Sequence, residues 1–165
     1  MVQKKTKKLM LSALVAALYV VLTYVSSLFG LSSGVIQLRL SEALNVLALY
    51  SFSAAPGLAV GCLIANLFTG SVLWDIVFGS LATFLGACGA YLLRKNRLAA
   101  LACPVLSNTL VIPFVLKYAY GVPDAFWFLF LTVALGELAS CLALGLLAGK
   151  TIDKYKKALP FLFDL

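Results

Sequence analysis

Ile36-Gln-Leu-Arg-Leu-Ser-Glu-Ala-Leu-Asn45 threads polar residues through apolar ones in a chain that is otherwise mostly hydrocarbon-like. Arg39 and Glu42 are three residues apart, and so are Glu42 and Asn45. Wound as a helix from Ser41 onward, the stretch sets Glu42 and Asn45 on one face with Arg39 just above them. A charge near the centre of a membrane helix costs about 2.5–3.5 kcal/mol on insertion scales. Such a cluster is expected to line a cavity or hold something, and it reads as one wall of a binding site.

The rest of the chain sets the context. With 165 residues there is room for one domain, 1–165. A hydrophobic share of 63%, a charged share of 12% and a mean hydropathy of +1.05 are incompatible with the surface of a soluble fold of this size. The fold class is therefore all-α, a polytopic membrane protein. The net charge of +7 would fit nucleic acid, but its placement argues against that. Eleven of the thirteen Lys and Arg residues sit in three groups, at 4–8, 94–97 and 150–157, all at segment ends. They read as orientation signals facing anionic lipid, with no nucleic-acid partner. The four cysteines lie in apolar stretches without CxxC spacing, as packing residues do. Histidine is absent, so no imidazole metal site or proton relay is available. The basic start and first apolar run are expected to stay as a mature helix, since no small-residue cleavage site follows.

Six transmembrane helices are drawn, at about 8–29, 41–52, 56–69, 73–93, 98–118 and 124–149. Residues 30–40 form a Gly/Ser-bearing loop, and the fifth span carries Pro104 and Pro113, each removing a backbone hydrogen bond. The second and third spans fall short of the roughly 20 residues a perpendicular crossing needs. They are expected to thin the bilayer or to form a re-entrant hairpin. An even count puts both termini and all three basic groups on one side, which the positive-inside rule makes cytoplasmic.

Placed by depth, Arg39, Glu42, Asn45, Asn66 and Asp75 gather toward the outer ends of their spans. Asn108 and Glu137 lie near mid-depth, while Lys117 and Asp124 mark outer ends. The competing reading is private pairing, Arg39 with Glu42 or Asp75, that merely fixes helix packing. Two cations facing four carboxylates leave that pairing incomplete. Small residues recur at four-residue spacing as Ala13 and Ala17, as Ala82, Gly86 and Ala90, and as Gly145 and Gly149. The last two sets are expected to pack inside the bundle, whereas Ala13 and Ala17 suit an external partner helix. Trp74, Tyr118, Tyr120, Phe126 and Trp127 read as an interfacial belt, one or two of them able to stack on a flat ligand. No Ser–His or Cys–His pair, zincin motif or Gly-rich phosphate loop occurs, so no enzyme, cofactor or metal site is expected.

With those residues in view, the chain resembles the substrate-binding S-components of energy-coupling factor (ECF) transporters. More narrowly it resembles their QueT-type queuosine-precursor group. The likeness rests on the basic N-terminus with Ala13-x-x-x-Ala17, on Ile36–Asn45 as quoted, on Gly61-Cys-Leu-Ile-Ala-Asn66, and on Asp75-Ile-Val-Phe-Gly-Ser-Leu-Ala-Thr83. The resemblance implies a membrane-embedded binding protein that captures a ligand at its outer face under the loop between spans one and two. It would then dock on a transmembrane T-component carrying two ATPase subunits and release the ligand inside. Carried over, Ala13 and Ala17 would be the docking surface and residues 30–40 the gate. Arg39, Glu42, Asn45, Asn66, Asp75, Asn108 and Glu137 would be the pocket.

A 7-deazaguanine base fits that chemistry. Its ring N–H and exocyclic amine are two adjacent donors for a carboxylate, its carbonyl needs a donor, and an aminomethyl arm would want a second carboxylate. Glu42 or Glu137 would read the base edge, with Asp75 or Asn66 helping to place it. The rivals are an S-component for another flat vitamin, and a stand-alone ion-coupled carrier using Glu137 or Asp75.

Overall fold

In lipid a backbone must satisfy its own N–H and C=O groups, and a chain this apolar does so by winding into helices. The computed structural model describes residues 2–31, 38–159 and 162, with side chains from residue 4. Among them there are helices and turns and no strand. Helix α1 is Val2–Leu28, followed after the loop by a 3-10 helix, Leu40–Leu49. Then come α2 (Ala54–Phe68), α3 (Leu73–Leu92) and α4 (Arg97–Tyr118). The last pass is continuous from Phe126 to Lys154: α5 (Phe126–Glu137), a π-helical segment (Leu138–Leu144) and α6 (Gly145–Lys154). The six expected helices are present, and four of them are long and apolar enough to cross a membrane.

The differences from expectation have local causes. The second span is a 3-10 helix instead of an α-helix. Its rise of about 2.0 Å per residue carries ten residues about 20 Å, where an α-helix would manage about 15 Å. The third begins at Ala54, ahead of Pro56, because a proline in the first turn forfeits only an N–H that has no intrahelical partner anyway. The fifth begins at Arg97, where the Asn96 side chain accepts from the Ala99 N–H at 3.3 Å. Helix α4 then continues through both Pro104 and Pro113. The sixth starts at Phe126 and runs beyond 149 to Lys154.

Neighbouring helices alternate in direction, so the bundle has two distinct ends. Lys4–Lys8, the α3–α4 turn and the end of α6 share a basic end. The turn between the 3-10 helix and α2 reaches it too: the Tyr50 hydroxyl donates to Asp153 Oδ1 at 2.8 Å, and Arg97 donates to both residues. The hairpin thus runs the length of the bundle. The other end carries the turns at 69–72 and 119–125 and the two flanks of the 30–40 loop. These flanks are joined by the Leu38 N–H donating to the Leu31 carbonyl at 2.8 Å.

Close helix contacts come from small residues. A Cβ added at Gly57 would sit 2.4 Å from the Ser12 carbonyl oxygen, and one at Gly61 would sit 2.7 Å from Tyr19 Cβ. That seam brings α1 against α2. Ala82, Gly86 and Ala90 are buried, with Gly86 against Pro104 on α4, and Gly145 and Gly149 are buried as well, as expected of internal packing. Ala13 and Ala17 lie on the exposed side of α1, while Ala16 faces α2. All four cysteines are free thiols, buried or half-buried.

Candidate functional site

The polar residues expected to converge are brought together. Glu42, Asn45, Asn66, Asp75, Asn108 and Glu137 are all buried, and the Arg39 side chain is 20% exposed. Winding three residues per turn eclipses positions i and i+3. The 3-10 helix therefore stacks Asn45 on Glu42, and the Asn45 amide donates to Glu42 Oε2 at 2.7 Å and to the Glu42 carbonyl at 3.1 Å. The Tyr19 hydroxyl donates to Glu42 Oε1. From α4, Asn108 Nδ2 donates to Glu137 Oε1 at 2.9 Å. From α2, Asn66 Nδ2 donates to the Asp75 carbonyl at 3.3 Å. Arg39 Nη2 lies 3.9 Å from Asp75 Oδ2, so one of the two private pairings is made and the one with Glu42 is not.

These residues surround two unequal spaces. The larger, about 410 Å3, lies toward the loop end and is lined by Thr23, Ser27, Arg39, Asn66, Asp75 and Tyr120 among others. Its volume falls within the roughly 300–1,000 Å3 of small-molecule sites. The smaller, about 20 Å3, lies deeper among Glu42, Thr83, Asn108, Glu137 and Gly79. It has room for about one water-sized group. Arg39 and Ile112 line both spaces, so the two adjoin at these residues. A third space, about 390 Å3, is an apolar groove on the outer faces of α3 and α4 with Trp74, Phe78 and Phe114. No carboxylate lines it.

Among the described residues, several buried polar atoms are left without a hydrogen-bond partner: Asn45 Oδ1, Asp75 Oδ1, Thr109 Oγ1, Glu137 Oε2 and Ser140 Oγ. Buried polar atoms normally find partners, and Asp75 and Glu137 line the two spaces, so their unpartnered oxygens mark unused capacity for a ligand. Gly79 contributes by what it lacks: a Cβ there would be 3.1 Å from Asp75 Oδ1 and 3.2 Å from Asn66 Nδ2.

Sequence reasoning missed Tyr19, Thr23 and Ser26 on α1. Thr23 donates to the Ser41 hydroxyl at 2.8 Å, and the Ser26 hydroxyl accepts from the Leu40 N–H at 3.0 Å. Their spacing of four and three was the available signal, a stripe of hydroxyls along one face of an apolar helix. For Tyr120 the sequence offers a place in the belt or a ring to stack on a flat ligand. Its hydroxyl instead donates to Asp75 Oδ2 at 2.8 Å and accepts from the Val72 N–H. Trp74, Tyr118 and Trp127 are well exposed, as a belt requires. Lys117 donates to the carbonyls of Pro123 and Asp124, closing the turn before α5, and Asp124 stays exposed outside the cluster. The gate expected over 30–40 falls largely on residues 32–37, outside the described residues.

A family model described as QueT transporter matches residues 9–154. The chain belongs to the QueT transporter family. That span takes in every helix contributing to the two polar spaces, and with four helices long and apolar enough to cross a membrane the chain is a multi-pass membrane member of that family. A curated relative, the "Queuosine precursor transporter QueT" of Lactococcus lactis subsp. cremoris (strain MG1363), is 38% identical over 86 residues. The match covers 52% of this chain and 50% of that protein, so the chain spans about half the length of that relative. No solved structure matches.

Proposed function

We propose that this QueT-family transporter is the substrate-capture subunit of an ECF-type importer and binds a queuosine precursor of the 7-deazaguanine type. Membership of the family and the name of the Lactococcus relative support the cargo. The observation that carries the reading is the cavity of about 410 Å3 toward the loop end, walled by polar side chains of several helices. Its volume suits a flat base. Asp75 is the carboxylate lining it, with Oδ1 unpartnered, so the base edge falls to Asp75 with Asn66 beside it. Glu42 and Glu137 line the smaller space, which is too small for a ring. Arg39 is the donor placed for the carbonyl of the base.

In this reading the loop end faces outward and the basic end, with both termini, faces the cytoplasm. The exposed Ala13 and Ala17 offer a close-packing surface for a T-component helix, the module being completed by two ATPase subunits.

Native mass spectrometry of the gently purified protein tests the cargo directly, the expected result being a co-purified 7-deazaguanine base. Asp75→Asn should weaken its binding about 10- to 100-fold, as loss of a hydrogen bond to a charged group worth about 1.5–3 kcal/mol requires. Unaltered affinity in that variant would remove Asp75 from the base edge. Uptake into proteoliposomes without ATPase partners, driven by an ion gradient, would replace the capture-subunit reading with a stand-alone carrier.

A further inference from the structure

The smaller polar space is chemically unlike the larger one. Three buried carboxylates, Glu42, Asp75 and Glu137, face a single guanidinium, and Arg39 lies against Asp75 at 3.9 Å. Glu42 is held by Tyr19 and Asn45, both neutral donors. Glu137 accepts from the neutral Asn108 through Oε1, and its Oε2 has no partner although the residue is only 8% exposed. Carboxylates taken out of water call for a proton or a matching charge. A space of about 20 Å3 between them admits one water-sized group and nothing with a ring. Among the described residues no three His, Cys, Asp or Glu side chains converge as a transition-metal site needs. The side-chain oxygens of Glu42, Thr83, Asn108 and Glu137 are too few for the six to eight ligands of Ca2+, and the space cannot hold the waters that Mg2+ keeps, so a monovalent cation fits better.

We infer that the pocket between Glu42 and Glu137 is a second, separate subsite that takes one small monocation. Two sources share this chemistry: a primary ammonium on the transported solute, whose three N–H donors match the carboxylates, and a free sodium ion. The ammonium source rests on the cargo proposed above, while the sodium source does not. Arg39, which lines both spaces, then stands where a place for the flat part of a solute adjoins a place for its charge.

The test uses the full chain in lipid nanodiscs with two ligands, 7-aminomethyl-7-deazaguanine and its 7-methyl counterpart, in sodium chloride and in choline chloride. If the cation is the solute's own, the amine binds at least tenfold more tightly than the methyl compound, and the advantage shrinks to about twofold in Glu137→Gln. If the cation is free, sodium raises the melting temperature of the ligand-free protein over choline, and Glu137→Gln abolishes the difference. Equal affinity for the two ligands together with equal melting in the two salts overturns the subsite. Should neither compound bind, the proposed cargo falls, and the comparison of salts alone decides the pocket. Glu42→Gln serves if Glu137→Gln does not fold, and the wild-type comparisons decide if neither variant does.

Discussion

The two ends of the bundle are built on different terms. At the basic end, Tyr50, Arg97 and Asp153 share hydrogen bonds of 2.7–2.9 Å, and the Tyr50 hydroxyl also donates to the Gly149 carbonyl at 3.1 Å. Toward the loop end, the ion pair stretches to 3.9 Å, and cavities open beside carboxylate oxygens that have no partner. Orphaned buried atoms occur at mid-depth and toward the loop end, and none belongs to the basic-end cluster. One end is saturated with its own contacts; the other holds contacts in reserve. That asymmetry is what a protein needs if it takes a solute from one side only.

The same substitution made in each half should give opposite results. Gly57→Ala, in the basic half, drives a Cβ to 2.4 Å from the Ser12 carbonyl oxygen, where only backbone movement makes room. Overpacking of this kind should cost about 1–3 kcal/mol and lower the melting temperature, with little change in ligand affinity for the protein that folds. A stability equal to wild type would mean that the α1–α2 seam yields at Ser12 without cost. Tyr19→Phe, deeper in the polar half, strips Glu42 Oε1 of its hydroxyl donor and should cost about 1–3 kcal/mol through an unmatched buried carboxylate. Glu42→Gln in that background should recover part of the loss; no recovery would place the cost elsewhere. Gly79→Ala meets side-chain atoms at 3.1–3.2 Å instead of backbone, so its effect on melting should be slight. Its Cβ nevertheless projects beside Asp75 Oδ1 and Asn66, and ligand affinity should drop several-fold by titration calorimetry. The smallest effect is expected from Asp153→Asn. The Arg97–Asp153 pair is 31% and 46% exposed, and pairs in such surroundings contribute about 0.2–1 kcal/mol. The loss should be detectable at low ionic strength, shrink with added salt and leave ligand binding alone.

How far the molecule could be read in advance differed between these regions for physical reasons. Hydropathy and proline placement were enough to draw six passes, because segment length and apolarity are properties of the sequence alone. The convergence of Arg39, Glu42, Asn66, Asp75, Asn108 and Glu137 was legible because intramembrane charge is expensive and must share company. The division of that set into two spaces was not. It depends on Arg39 and Ile112 lying where the two adjoin, which only tertiary packing determines. Nor was the 3-10 winding of Leu40–Leu49 legible, since a ten-residue apolar run scores equally as α-helix. The π-helical turn that begins directly after Glu137 leaves no mark in Leu138-Ala-Ser-Cys-Leu-Ala-Leu144 either. Gly79 stood inside a quoted segment, but its part in the site is the absence of atoms.

The 3-10 helix also acts as a ruler. Its first N–H is moored to the Ser26 hydroxyl on α1, and Tyr50, just past its other end, is moored to α6. Rewound at 3.6 residues per turn, the same ten residues would be about 5 Å shorter and would rotate Glu42 away from Asn45. One mooring would then have to slip. A change in the spacing of the two ends that rewound this segment would therefore turn a buried acid about its axis.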